Sequence, residues 1–131
     1  MKPIKIYILE DEIIIQQLLK ETLETLAYNV CGTQTNAEIA LHEIEVLQPD
    51  IVFLDIKVEG SKTGIWLGNQ LEMPIIYLSA FSNVKTFIET IEIKPVSFLG
   101  KPFNIKELFI ALQLALNVVA LKKELLIKAC N

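Results

Sequence analysis

One histidine and two cysteines in 131 residues leave little room for several kinds of chemistry. A structural zinc site needs four closely spaced Cys or His ligands. Here Cys31 and Cys130 stand far apart, and His42 has no cysteine or second histidine near it. The spacing suggests no disulfide frame, so both thiols read as reduced and His42 as a surface residue. Long apolar runs are missing as well. None reaches the roughly 18 residues a helix needs to span a bilayer, and Met1-Lys2-Pro3-Ile4 enters a strand too quickly for a signal peptide. The expectation is a cytoplasmic chain with no membrane contact. Nor are there clusters of basic residues: 12 Lys and Arg against 16 acids leave a net charge of -4, and the bases are scattered. Phosphate backbones call for gathered Lys and Arg, so no direct nucleic-acid binding is expected. No linker, repeat or low-complexity stretch interrupts the chain, and 52% hydrophobic residues exclude disorder at a length suited to one domain, residues 1–131.

Short apolar runs alternate with helical patterns. Ile4 to Leu9 reads as a strand that stops at Glu10-Asp11-Glu12, and Ile14, Leu18, Leu19, Leu23 and Leu26 recur at helical spacing after it. Val30 to Thr33 is a second strand, and Asn36 caps a helix through Ala40, Leu41, Ile44 and Leu47. Ile51 to Leu54, four consecutive apolar residues between acids, reads as a strand buried on both faces that delivers Asp55 to its far end. Gly60 and Gly64, in and after the loop from Val58 to Thr63, allow positive φ, and a helix follows from about Ile65 to Leu71. Pro74 opens the strand Ile75 to Leu78, which ends at Ser79-Ala80. Ser82-Asn83 can cap a helix through Val84, Phe87, Ile88 and Ile91. Val96 to Leu99 is the fifth strand, ending at Gly100-Lys101-Pro102, and a long helix, 104–128, completes the chain. Five strands alternating with helices predict an α/β fold, a doubly wound five-stranded parallel sheet with helices on both faces.

In such a sheet all C-terminal strand ends share one rim, where open α/β sheets bind ligands. Glu10, Asp11, Asp55, Ser79 and Lys101 would meet there. Each has a plain reading alone: acids begin helices, Ser caps them, and Lys is usually solvated. Together they have a purpose. Three carboxylates in one depression either raise a pKa or hold a cation, and hard oxygen donors without Cys or His favour Mg²⁺. Asp55 is then placed as the nucleophile for a phosphoryl group, with the Lys101 ammonium and the Ser79 hydroxyl available to its oxygens.

This pattern resembles the receiver domain of bacterial two-component response regulators over nearly the whole chain. Leu9-Glu10-Asp11-Glu12 is similar to that family's acidic pair, Phe53-Leu54-Asp55 to its phospho-acceptor strand, Leu78-Ser79-Ala80 to its hydroxyl switch and Lys101-Pro102-Phe103 to its Lys-Pro-Phe motif. The resemblance implies a flavodoxin-like (βα)5 fold and a phosphorelay role. The phosphoryl group would come from the phosphohistidine of a sensor histidine kinase or phosphotransfer protein. Asp11 and Asp55 would ligate Mg²⁺ directly, Glu10 through water, and the Lys57 carbonyl would add a ligand. Pro102 would follow a cis peptide that aims Lys101. Ser79 and Phe98 would carry the switch to the surface formed by the helix after Ser82, the fifth strand and the final helix. The domain would assist its own phosphorylation and dephosphorylation and turn over no external substrate. Departures from the pattern are Glu10 for the commoner Asp, Ser79 for Thr, and Phe98 for an aromatic that is often Tyr, which leaves only packing to drive its rotation. Lys57 and Phe81 stand where the family tunes phosphate lifetime.

Other functions fit less well. A haloacid dehalogenase-type hydrolase wants a second Asp two residues after the nucleophile, where this chain has Lys57. A nucleotide- or flavin-binding module needs a Gly-rich turn after the first strand, where this chain has acids. A non-phosphorylated interaction module stays open but leaves the acid, hydroxyl and lysine set without a use. On the final helix, Ile105, Leu108, Leu112, Ala115 and Val119 share one stripe for the sheet. Leu114, Val118, Leu121 and Leu125 form a second at coiled-coil spacing, which points to a partner helix, most simply from a second copy in a symmetric homodimer. The chain could equally stand alone or be the front piece of a longer regulator.

Overall fold

The computed structural model describes residues 3–80 and 96–130. Five parallel strands, β1 (Lys5–Leu9), β2 (Asn29–Gln34), β3 (Ile51–Asp55), β4 (Ile75–Ala80) and β5 (Val96–Lys101), form one sheet in the order β2-β1-β3-β4-β5. Among the described residues the helices are α1 (Ile13–Thr25), α2 (Ala37–Leu47), α3 (Gly64–Gly68) and the C-terminal α4 (Ile105–Cys130). The helix expected after Ser82, together with Phe81, lies outside the described residues.

Because successive strand residues face opposite ways, each strand feeds two cores. Ile6, Ile8, Ile51, Phe53, Ile76 and Leu78 pack with Leu19 and Leu23 of α1 and Leu108, Leu112 and Ala115 of α4. Tyr7, Leu9, Val52, Leu54, Ile75 and Tyr77 pack with Ala40 and Ile44 of α2 and Leu67 of α3. Double burial is why these strands read as unbroken apolar runs. Side-chain caps set two helix starts: Asn36 Oδ1 accepts from Ile39 N–H at 3.1 Å, and Thr63 Oγ1 from Trp66 N–H at 3.0 Å.

Several local expectations are corrected. Gly60 has φ +93, but Gly64 is not in the positive-φ region; a Cβ on it would lie 1.9 Å from the Asp55 carbonyl oxygen, so it is glycine for close approach. Helix α3 stops at Gly68, short of Leu71. Ile14 and Leu18 lie on α1 but face solvent, and Ile105 leaves the core stripe of α4, where Ala111 takes part instead. Val118 turns aside from the outward stripe into a groove lined by Asn69, Leu71, Met73 and Pro74.

Candidate functional site

Strand register assembles the site. Leu9 is level with Leu54, so Glu10 and Asp11, just past β1, stand beside Asp55 at the end of β3. Asp55 is level with Leu78, and Ala80 with Lys101, so Ser79 and Lys101 close the other side. The strand order reverses between β1 and β3, the place where open α/β sheets leave a crevice. A cleft of about 210 Å³ there is lined by Asp11, Glu12, Asp55, Lys57, Ser79 and Lys101.

Lys101 is the hub. Its Nζ donates to Asp55 Oδ2 at 2.8 Å and lies 2.5 Å from Glu10 Oε1, with the exposed Glu12 carboxylate at 3.7 Å. The Lys101-Pro102 peptide is cis, as the motif implied. Asp55 Oδ1 accepts from Lys57 N–H at 3.3 Å, and Glu10 Oε2 from Glu12 N–H at 3.1 Å. One oxygen from each of Glu10, Asp11 and Asp55 lies within 4.8 Å of the others.

Burial and crowding show in the ionisation of these groups. Desolvation, and then the neighbouring Asp55, push Glu10 up to about 8, against the opposing pull of Lys101. Asp11 is raised by burial and by the Asp55 charge. Burial alone would lower Lys101, but Asp55 and Glu10 outweigh it and hold the ammonium above its ordinary value. One ammonium thus offsets a cluster of three acids only in part.

This arrangement suits a hard divalent cation. The donors are carboxylate oxygens on three sides, and Glu10 Oε1, buried and without a hydrogen bond, has the Lys101 ammonium as its ionic neighbour. Glu10, Asp11 and Asp55 are the residues that could hold Mg²⁺, which needs few protein ligands and keeps several waters.

The switch residues are held differently. The Ser79 hydroxyl is buried and donates to the Ala80 carbonyl at 2.9 Å, along its own strand. Phe98 is 39% exposed, with its ring stacked on Tyr77 at a centroid distance of 6.2 Å. The Lys57 side chain points to solvent while its backbone lines the cleft. Sequence reasoning missed two participants. Glu12 joins the ion-pair network, and Gln16, 4% exposed, sits beneath the acidic turn; its apolar neighbours at helical spacing were the only available signal.

Comparison with known proteins agrees with this geometry. A family model described as response regulator receiver domain matches residues 6–113. The chain is 32% identical over 125 residues to the nitrogen assimilation regulatory protein NtrX of Azorhizobium caulinodans, covering 91% of this chain and 27% of that protein. It is 34% identical over 108 residues to the transcriptional regulatory protein KdpE of Staphylococcus aureus, covering 79% of this chain and 46% of that one. The chain therefore spans half or less of the length of these two relatives. Among solved structures, the signal receiver domain of a modulated diguanylate cyclase from Desulfovibrio desulfuricans superposes with a TM-score of 0.83 at 28% identity, covering 92% of this chain and 99% of that one.

Proposed function

The chain belongs to the response regulator receiver family, and we propose that it accepts a phosphoryl group on Asp55 from the phosphohistidine of a sensor histidine kinase or phosphotransfer protein. The observation that carries this reading is the Asp55 carboxylate held between the Lys101 ammonium and two further acids. In the transfer, an Asp55 oxygen forms the new P–O bond, the P–N bond of the donor breaks, and its imidazole keeps the electron pair. Lys101, already hydrogen-bonded to Asp55, can follow the charge onto the phosphoryl oxygens. Mg²⁺, held by Glu10, Asp11, Asp55 and the Lys57 carbonyl, would draw charge from the same oxygens. Beside the cleft, α1 exposes Ile13, Ile14 and Leu18, apolar area suited to a protein donor.

The product is a signal. The Ser79 hydroxyl can leave the Ala80 carbonyl for the new acceptor oxygens, and Phe98 can follow inward, shifting two pre-existing packings. The domain promotes its own phosphorylation and hydrolysis, turns over no other substrate, and works in the cytoplasm without direct nucleic-acid contact. Its outward α4 face, with Ile110, Leu114, Leu121 and Leu125 exposed, is read as the seam of a homodimer.

Intact mass after treatment with acetyl phosphate and Mg²⁺ tests the acceptor. The parent should gain one phosphate and Asp55→Asn none; equal labelling of the two would reassign the site.

A further inference from the structure

Gln16 of α1 is the one buried side-chain amide beside the cleft among the described residues, and the cleft residues make no side-chain contact with it. Its Nε2 donates to the carbonyl of Glu10 at 2.9 Å and to the carbonyl of Gln34 at 3.2 Å. The Gln34 carbonyl also accepts from Glu10 N–H at 3.0 Å. Both backbone polar groups of Glu10 are therefore clamped, its N–H by β2 and its C=O by α1.

Packing alone does not call for a glutamine. The other buried residues of α1 are Leu19 and Leu23, and burying an amide is unfavourable unless its hydrogen bonds are made. What the position needs is a donor with two N–H groups, because two carbonyls at the ends of neighbouring parallel strands point at it and the sheet has no further donor for them. The peptide so held carries Glu10 on one side and Asp11 on the other. A rotation of that peptide would move both carboxylates relative to Asp55, and their oxygens now lie within 4.8 Å of its own.

We propose that Gln16 is a positioning residue for the cation site: by fixing the Glu10 peptide it sets the separation of the acidic pair from Asp55. This rests on the reading of the cleft as a Mg²⁺ site. Residues that orient ligands from behind change metal affinity about 10–100-fold when replaced.

The test is a Mg²⁺ titration of the full chain followed by NMR, well below the unfolding temperature. Gln16→Leu, which keeps bulk and removes both donors, should bind Mg²⁺ about 10–100-fold more weakly than the parent. Leu23→Ala, in the same helix and core but remote from Glu10, is the control for general destabilisation and should bind within about twofold of the parent even though it melts earlier. Equal losses in the two variants, or no loss in Gln16→Leu, would overturn the proposal. The parent decides the matter if Gln16→Leu fails to fold: its Gln16 Nε2 protons should exchange slowly with solvent and shift on Mg²⁺ saturation, and fast-exchanging protons indifferent to Mg²⁺ would refute the role. A parent that takes up no Mg²⁺ overturns the reading of the cleft itself, a distinct result from a parent that binds while Gln16→Leu binds equally well.

Discussion

The carboxylate cleft and the outward face of α4 both present groups that nothing within the described chain completes, and they are built in opposite ways. The cleft draws Glu10, Asp55 and Lys101 from segments far apart in sequence and fastens them by strand register, a 2.8 Å hydrogen bond and a 2.5 Å ion pair. The face of α4 comes from one helix, and its Ile110, Leu114, Leu121 and Leu125 are each more than half exposed. One place is highly ordered and electrostatically strained; the other is a bare apolar stripe. A small charged ligand gains most from fixed donors, whereas a partner helix gains from area. The contrast indicates that metal and phosphoryl chemistry should be separable by mutation from association.

The largest expected effect is on the cleft. Asp11→Ala should weaken Mg²⁺ binding more than 100-fold and abolish phosphate uptake. Glu10→Ala, removing a ligand that acts through water, should lose about 10–100-fold. Neither should change the oligomeric state. A magnesium titration of both variants checks the order, and a reversed order would mean that Glu10 is the direct ligand.

Next in size is the face of α4. Each apolar side chain there is worth about 1.5–3 kcal/mol if fully buried, set against the cost of association. Leu121→Glu with Leu125→Glu should turn a dimeric parent into a monomer in sedimentation, with phosphate uptake on Asp55 within about twofold of the parent. A parent that stays monomeric at high micromolar concentration, with and without phosphate, would leave the face without a second copy as its partner.

The smallest effect links the two regions through the core. Gly64→Ala forces a methyl group against the Asp55 carbonyl, and overpacking of this kind costs about 1–3 kcal/mol. Chemical denaturation should show that loss together with slower phosphate uptake and unchanged association. Uptake as fast as in the parent would mean that the backbone of Asp55 tolerates the displacement.

The strand ends were legible because doubly buried parallel strands read as plain apolar runs, and each run here stops at a residue with chemistry. Order along the chain then implied order along the rim, so Glu10, Asp11, Asp55, Ser79 and Lys101 could be brought together before any geometry was known. The phase of α1 was not legible. Ile13, Ile14, Ile15, Leu18 and Leu19 surround much of the helix, and the choice of Leu19 and Leu23 for the core depends on the sheet beneath. Gln16 was hidden for the same reason, since its two acceptors belong to strands that meet only in the fold. Gly64 was recognised as special but for the wrong cause, because sequence does not distinguish a positive φ from a neighbour that leaves no room. Ile105 fell outside its assigned stripe, whereas Phe103 packs against the core just before the helix begins.

Helix α4 has 26 residues, roughly 39 Å at 1.5 Å per residue, while the strands it rests on have five or six, roughly 17–20 Å. Its first half is bedded on the sheet through Leu108, Leu112 and Ala115, and its last hydrogen bond to the body, from Lys122 Nζ to the Glu72 carbonyl at 2.5 Å, lies near the opposite edge from the cleft. Mechanically this is a lever with its fulcrum in the core. A tilt of about 5° at the bedded end carries the tip through about 2 Å over a free arm of roughly 20 Å. A sub-ångström adjustment beside Phe98 would thus be delivered at the far end as a displacement large enough to change which residues of a neighbouring helix can meet.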